Sequence, residues 1–181
     1  LGGQDIRLSE RFYLGEPKFR GFAIRGIGPR IIRKYRDTDG NFSDDRDQWG
    51  DDAIGGKNYY LGRAEVEIPL GSAGREMGLR PSLFVDVGAL WSVNFPELLD
   101  IPNSSTTTCT DPNNPATCTT NTTTGFKEFA YGNSSSPRVS VGIGVSWNSP
   151  FGPFRFDLAK AVKTVEGDDT QVFQFNVGTQ F

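Results

Sequence analysis

The sequence predicts an all-β protein, an antiparallel meander of about five transmembrane strands forming part of an outer-membrane barrel with long surface loops. Three observations lead there. Hardly any segment shows a helical period, whereas five segments alternate apolar and polar residues with a period of two. The second face of those segments carries Arg63, Glu65, Glu67, Asp86, Arg138, Arg155 and Asp157, too much charge for a dry sandwich core. The apolar rows also end repeatedly in aromatics, Tyr60, Trp91 and Trp147, as membrane girdles do.

From about Gly15 to Gly56 no period is sustained, and Gly, Arg and Asp abound. Asp37-Thr-Asp39-Gly40-Asn41 has some look of a calcium loop, but its glycine is misplaced and no glutamate closes it, so a solvated loop is expected. Residues 1–57 therefore read as the end of a preceding strand plus a large surface loop, and residues 58–181 as the strands. The first strand, about Asn58 to Ile68, sets Tyr60, Ala64, Val66 and Ile68 against Arg63, Glu65 and Glu67. The second, about Pro81 to Trp91, sets Leu83, Val85, Val87, Ala89 and Trp91 against Phe84, Asp86 and Gly88. A polar stretch, 94–137, rich in Thr, Asn, Ser and Pro, reads as an exposed loop. Asn103, Asn121 and Asn133 head N-x-[ST] matches there, which arise easily by chance in such a composition. Cys109 and Cys118 lie in this loop, and a local disulfide in an oxidising compartment is the expectation.

The third strand alternates Val139, Val141, Ile143, Val145 and Trp147 with Arg138, Ser140, Gly142, Gly144 and Ser146. After a tight turn at Asn148-Ser-Pro150-Phe151-Gly152-Pro153, the fourth opposes Phe154, Phe156 and Leu158 to Arg155 and Asp157. The last places Phe173, Phe175, Val177, Thr179 and Phe181 on one face and Gln174, Asn176, Gly178 and Gln180 on the other. Alternation alone suits either a lipid-facing row or a soluble sandwich core; the charged second face favours lipid.

Composition narrows the function classes. The chain of 181 residues suits one domain, and its net charge of −3 gives no reason to expect nucleic acid as a partner. With His 0, no CxxC and no GxSxG, neither an enzyme nor a metal or cofactor site is expected. No run approaches the roughly 20 apolar residues of a spanning helix, which does not bear on a barrel. The chain opens at Leu1 without a secretory leader, which delivery to the outer membrane requires, so a preceding segment is expected to have been removed.

Taken together, several motifs resemble the carboxy-terminal part of the BamA family of outer-membrane β-barrel assembly proteins. Phe19-Arg20-Gly21-Phe22 resembles the [VI]-R-G-[FY] motif of that family's sixth surface loop, with Phe in place of Val or Ile. Ile27-Gly28-Pro29, Asp52-Ala-Ile54-Gly55-Gly56, the F-x-D-x-G of Phe84-Val85-Asp86-Val87-Gly88 and the Trp147 to Pro153 turn follow in family order. Phe173 to Phe181 fits the family's terminal β-signal. The cysteine pair departs from the pattern, lying in the seventh loop instead of the sixth.

The resemblance implies outer-membrane protein assembly and insertion at the bacterial outer membrane. It implies that Arg20 reaches the carboxylates of Glu65 and Asp86, with Gly21 allowing the close approach and Phe22 wedging the loop tip. The terminal strand, with Phe173, Phe175, Gly178 and Phe181, would form a weakly paired seam open to β-augmentation. Implied partners are outer-membrane lipids, nascent outer-membrane proteins, and lipoproteins reached through periplasmic domains. Five strands cannot close a barrel, so the missing strands or self-association would have to cover the edges. Related translocation and two-partner secretion transporters share the loop motif, and a passive porin-like barrel shares the strand pattern; both stand as alternatives.

Overall fold

The structure is a computed structural model that describes residues 7–110, 118–150 and 152–178. Its largest element is a five-stranded antiparallel sheet, made by the five segments with period-two alternation. These are β3 (Asn58–Glu67), β4 (Leu79–Trp91), β9 (Arg138–Ser149), β10 (Gly152–Lys163) and β11 (Phe173–Val177). They run in the order β11-β10-β9-β4-β3, an open sheet among the described residues. Between β3 and β4 the chain makes a short helix, α1 (Gly71–Glu76). The register brings like faces together: Asp86 lies opposite Arg63 on one side and Ser140 on the other, while Phe156 faces Phe175.

Burial in this sheet is inverted relative to a soluble one. The apolar row is exposed, with Leu83 at 50%, Ile143 at 52% and Leu158 at 49%. On β4, β9 and β10 the charged row is buried, with Asp86 and Arg138 at 0% and Asp157 at 1%, whereas Arg63, Glu65 and Glu67 of the edge strand β3 are exposed. A water-facing sheet of this composition would leave large apolar side chains wet and bury unhydrated charge, both unfavourable. Lipid on the apolar side and paired charges on the other satisfy both rows.

The charged face is covered by the first part of the chain. Leu14, Phe19, Phe22 and Ile27 pack with Leu90 into a small buried cluster, Phe19 and Phe22 meeting edge to face at 5.0 Å. These residues have no strand period, yet they fold onto the wall because it offers them an apolar patch beside the charges.

The described residues divide into two compact units, one within 1–30, 53–94 and 131–181 and the other within 31–52 and 95–130. The second unit holds a four-stranded sheet ordered β2-β1-β8-β5: β1 (Arg30–Tyr35), β2 (Gly50–Ala53), β5 (Asp100–Ile101) and β8 (Phe126–Tyr131). It also holds a ribbon of β6 (Ser104–Cys109) and β7 (Cys118–Thr123). This grouping departs from the partition 1–57 and 58–181: strands from the acidic loop and from 94–137 share one sheet. Long-range pairing, invisible to local periodicity, is the reason. Asp37 closes its turn locally, accepting from the Asp39 and Asn41 amides at 2.9 and 2.8 Å.

Two of the three N-x-[ST] asparagines of 94–137 have structural work. Asn103 donates to the Asp37 carbonyl and accepts from the Gly125 amide, at 2.6 and 2.7 Å. Asn133 accepts from the Ser92 amide and donates to the Val93 carbonyl, at 2.8 and 2.9 Å.

In the second unit Glu128 accepts from Arg33 at 2.7 Å and from the Leu99 amide at 3.0 Å. The hydrogen bond from Arg33, reinforced by the Leu99 amide, holds the Glu128 carboxyl below its ordinary range. Lys127 and Arg36 do the same for Asp100. A carboxylate with a depressed folded-state pKa stabilises above its unfolded value and loses that contribution as pH falls through the folded value. Amide exchange in 126–131 is therefore expected to rise as pH drops below about 4, after correction for intrinsic rates. A flat corrected profile would contradict the assignment.

Cys109 and Cys118 form a disulfide that joins the ends of β6 and β7. The ribbon they clamp is almost wholly exposed, with cross-strand hydroxyl pairs such as Thr107 and Thr120 at 2.9 Å. Closing so short a loop stabilises it by about 2–3 kcal/mol in the chain-entropy view. Reduction is expected to release protection in 104–109 and 118–123 while 138–149 keeps its own; equal loss in both would contradict a local role.

Candidate functional site

The site is built where the inserted loop meets the charged face. Parity puts Glu65 of β3, Asp86 of β4 and Asp157 of β10 on one side of the sheet, with Arg63 and Arg155 beside them. Arg20 enters from the loop. Its Nε and Nη2 donate to the two carboxylate oxygens of Asp86 at 2.9 and 2.7 Å, and its Nη1 donates to Glu65 at 2.8 Å. The Arg20 main-chain amide adds a bond to Asp86 at 3.1 Å. Only arginine offers this planar fork while staying charged.

The acids are shared. Arg63 Nε approaches Asp86 at 3.3 Å, and Arg155 bonds Glu65 at 2.8 Å and Asp157 at 2.9 Å. Ser82 donates its hydroxyl to Glu65 at 2.6 Å. Three guanidinium groups thus meet three carboxylates, a neutral sum that lets the cluster sit out of water. Below it Phe84 presents its ring face to Arg20 Cζ, 3.4 Å from the centroid.

Gly21 holds the loop tip at φ +84°, and a Cβ there would lie 2.9 Å from Ser140 Cβ. Both the backbone and the space demand glycine. Gly21→Ala in the full-length protein is expected to cost about 2 kcal/mol or more, read by denaturant unfolding. A cost near zero would mean that the tip does not press on the wall. Phe22 is fully buried, and its main chain bridges Thr170.

The structure therefore brings Arg20, Gly21, Phe22, Glu65 and Asp86 into one place. On β11, Phe173 and Phe175 belong to the exposed row, and Phe175 stacks on Phe156 at 4.9 Å. Gly178 lies at φ +83° with open space where a Cβ would be, so its backbone and not its packing requires glycine. Phe181 lies outside the described residues. Cys109 and Cys118 belong to the ribbon of the second unit.

Six further contributors were not singled out as site residues. Arg63, Arg155 and Asp157 were legible as face partners, but nothing local said that they join Arg20. Arg138, fully buried at the start of β9, pairs bidentately with Asp168 at 3.0 and 3.2 Å. It also donates to the carbonyls of Gly132, Ser134 and Ser136. Asp168 sits in an aperiodic connection, so no sequence signal marks it. Gln174 of β11 donates to the Phe22 carbonyl at 2.9 Å.

An antiparallel wall with apolar residues outward, charges inward and an inserted loop pinned to it defines a segment of a transmembrane β-barrel. The Omp85 superfamily domain matches residues 1–181, and the chain belongs to that superfamily. It is 32% identical over 179 residues to the outer membrane protein assembly factor BamA of Neorickettsia risticii, covering 99% of this chain and 18% of that protein. Against the same factor of Neisseria meningitidis serogroup B the identity is 29%, over 98% of this chain and 19% of that protein. The crystal structure of Haemophilus ducreyi BamA lacking POTRA domains 1-3 superposes with TM-score 0.57 at 26% identity, over 97% of this chain and 28% of that one. The chain thus spans about a fifth of the length of these curated relatives. Family and sheet polarity together place it in the bacterial outer membrane.

Proposed function

We propose that this segment serves outer-membrane protein assembly and insertion, as part of the wall of a BamA-like barrel. The observation that carries the reading is the Arg20 fork, which grips Asp86 and Glu65 from a loop turned in against the charged face. A passive pore needs the alternating strands but not a loop locked to them. The lock keeps the wall rigid on the β3 and β4 side.

At the other side, β11 is the last strand of the sheet and is paired with β10 alone among the described residues. An unpaired strand edge offers its amides and carbonyls to an incoming strand. In this reading β11 is the seam at which nascent outer-membrane proteins add, Phe173 and Phe175 anchor it in lipid, and Gly178 follows its last residue. The work is mechanical and non-enzymatic. Lipoprotein partners are reached through other parts of the protein, and the remaining barrel strands cover the second edge at β3.

The test is reconstitution of the full-length protein into liposomes with an unfolded outer-membrane barrel as substrate. Faster insertion than in empty liposomes, and cross-links from cysteines placed in β11 to the substrate, are expected. Insertion at the rate of empty liposomes would overturn the reading.

A further inference from the structure

We propose that Gln174 is a positioning residue that ties the inserted loop to β11, so that the Arg20 network and the terminal strand respond together. The proposal rests on the reading of β11 as the seam. The loop is bound at both ends of the wall. Beyond Arg20, the Gly21 carbonyl accepts from the Gln171 amide at 3.2 Å, the Ala23 amide donates to the Asp169 carbonyl at 3.0 Å, and the Asp169 amide donates to the Gly26 carbonyl at 2.8 Å. This ladder runs alongside the segment that leads directly into β11. Gln174 extends it into the strand itself through the Phe22 carbonyl.

Gln174 is an odd residue on stability grounds alone. It is fully buried, and its Oε1 has no partner among the described residues. A buried amide with an unmet acceptor is unfavourable compared with an apolar side chain of the same volume. What the amide does achieve is to fix the carbonyl of Phe22, two residues from Arg20. Releasing Arg20 from Asp86 would then free the loop from β4 while leaving it attached to β11, passing the disturbance to the seam.

Hydrogen exchange on the full-length protein in detergent micelles tests this, comparing Arg20→Lys, Gln174→Met and the double variant. Arg20→Lys is expected to raise exchange in 173–177 about tenfold, the loss of roughly one hydrogen bond's worth of protection. Gln174→Met is expected to cut that response at least about threefold while leaving the response of 58–67 to Arg20→Lys intact. No response in 173–177 to Arg20→Lys, or an undiminished response in the double variant, would overturn the proposal. The first of these outcomes needs no substitution at Gln174, so a variant that fails to fold does not shield the idea. Substrate insertion measured alongside separates the two readings. Coupled exchange with normal insertion by Arg20→Lys removes the seam function and keeps the tie, whereas impaired insertion without coupled exchange does the reverse.

Discussion

Arg20→Ala is expected to lower the stability of the full-length protein by about 3–5 kcal/mol, the range for breaking a buried pair by removing one partner. The Arg20 and Asp86 side chains are 3% and 0% exposed, so the buried-pair range and not the surface one applies. Truncation leaves Asp86 with the main-chain amide of residue 20 and with Arg63 Nε at 3.3 Å, and strips Glu65 of one of its two guanidinium partners. Arg20→Lys should recover part of the loss, since a point charge replaces the fork without its two-oxygen geometry. Denaturant unfolding in detergent measures both. A loss below about 1 kcal/mol would make Arg20 a solvated loop arginine of the ordinary surface kind.

Arg138→Met should cost about as much, again about 3–5 kcal/mol, for a different reason. Methionine fills much of the volume, so the expected loss is electrostatic. Asp168 would keep the Val165 amide at 2.7 Å but lose its guanidinium partner, and three carbonyls would lose their donor. The first consequence should be local opening of the connection between β10 and β11, seen as exchange in 165–172. Pairing the substitution with Asp168→Asn should recover a sizeable part of the loss, because no buried charge is then left alone. Additive losses in the double variant would contradict the pairing.

The five strands of the wall were legible because parity is a local property: Val139 to Trp147 alternates with Arg138 to Ser146, and no distant contact is needed to see it. The same parity put Glu65, Asp86 and Asp157 on one face before any contact was known. Arg20 was legible only through the four residues Phe19-Arg20-Gly21-Phe22 and their likeness to a family, since an isolated loop arginine carries no period. Two things were not legible. The four-stranded sheet joins β1 to β8 across about ninety residues of chain, and pairing at that separation leaves no trace in short windows. Gln174 read as one more polar residue of an alternating strand, because its role depends on where Phe22 turns its carbonyl.

The apolar rows of the five strands face lipid while the charged rows face inward. Fluorophores on single cysteines in the full-length protein, reconstituted in bilayers with brominated acyl chains, test it directly. Val85, Ile143 and Leu158 represent the outward row, and Arg80 and Asn176 the inward one. Strong quenching by brominated lipid is expected at the first three, and by an aqueous quencher, not lipid, at the other two. Weak quenching by brominated lipid at Val85, Ile143 and Leu158, or no contrast between the rows, would mean that these strands pack against protein and that the wall is not a membrane wall.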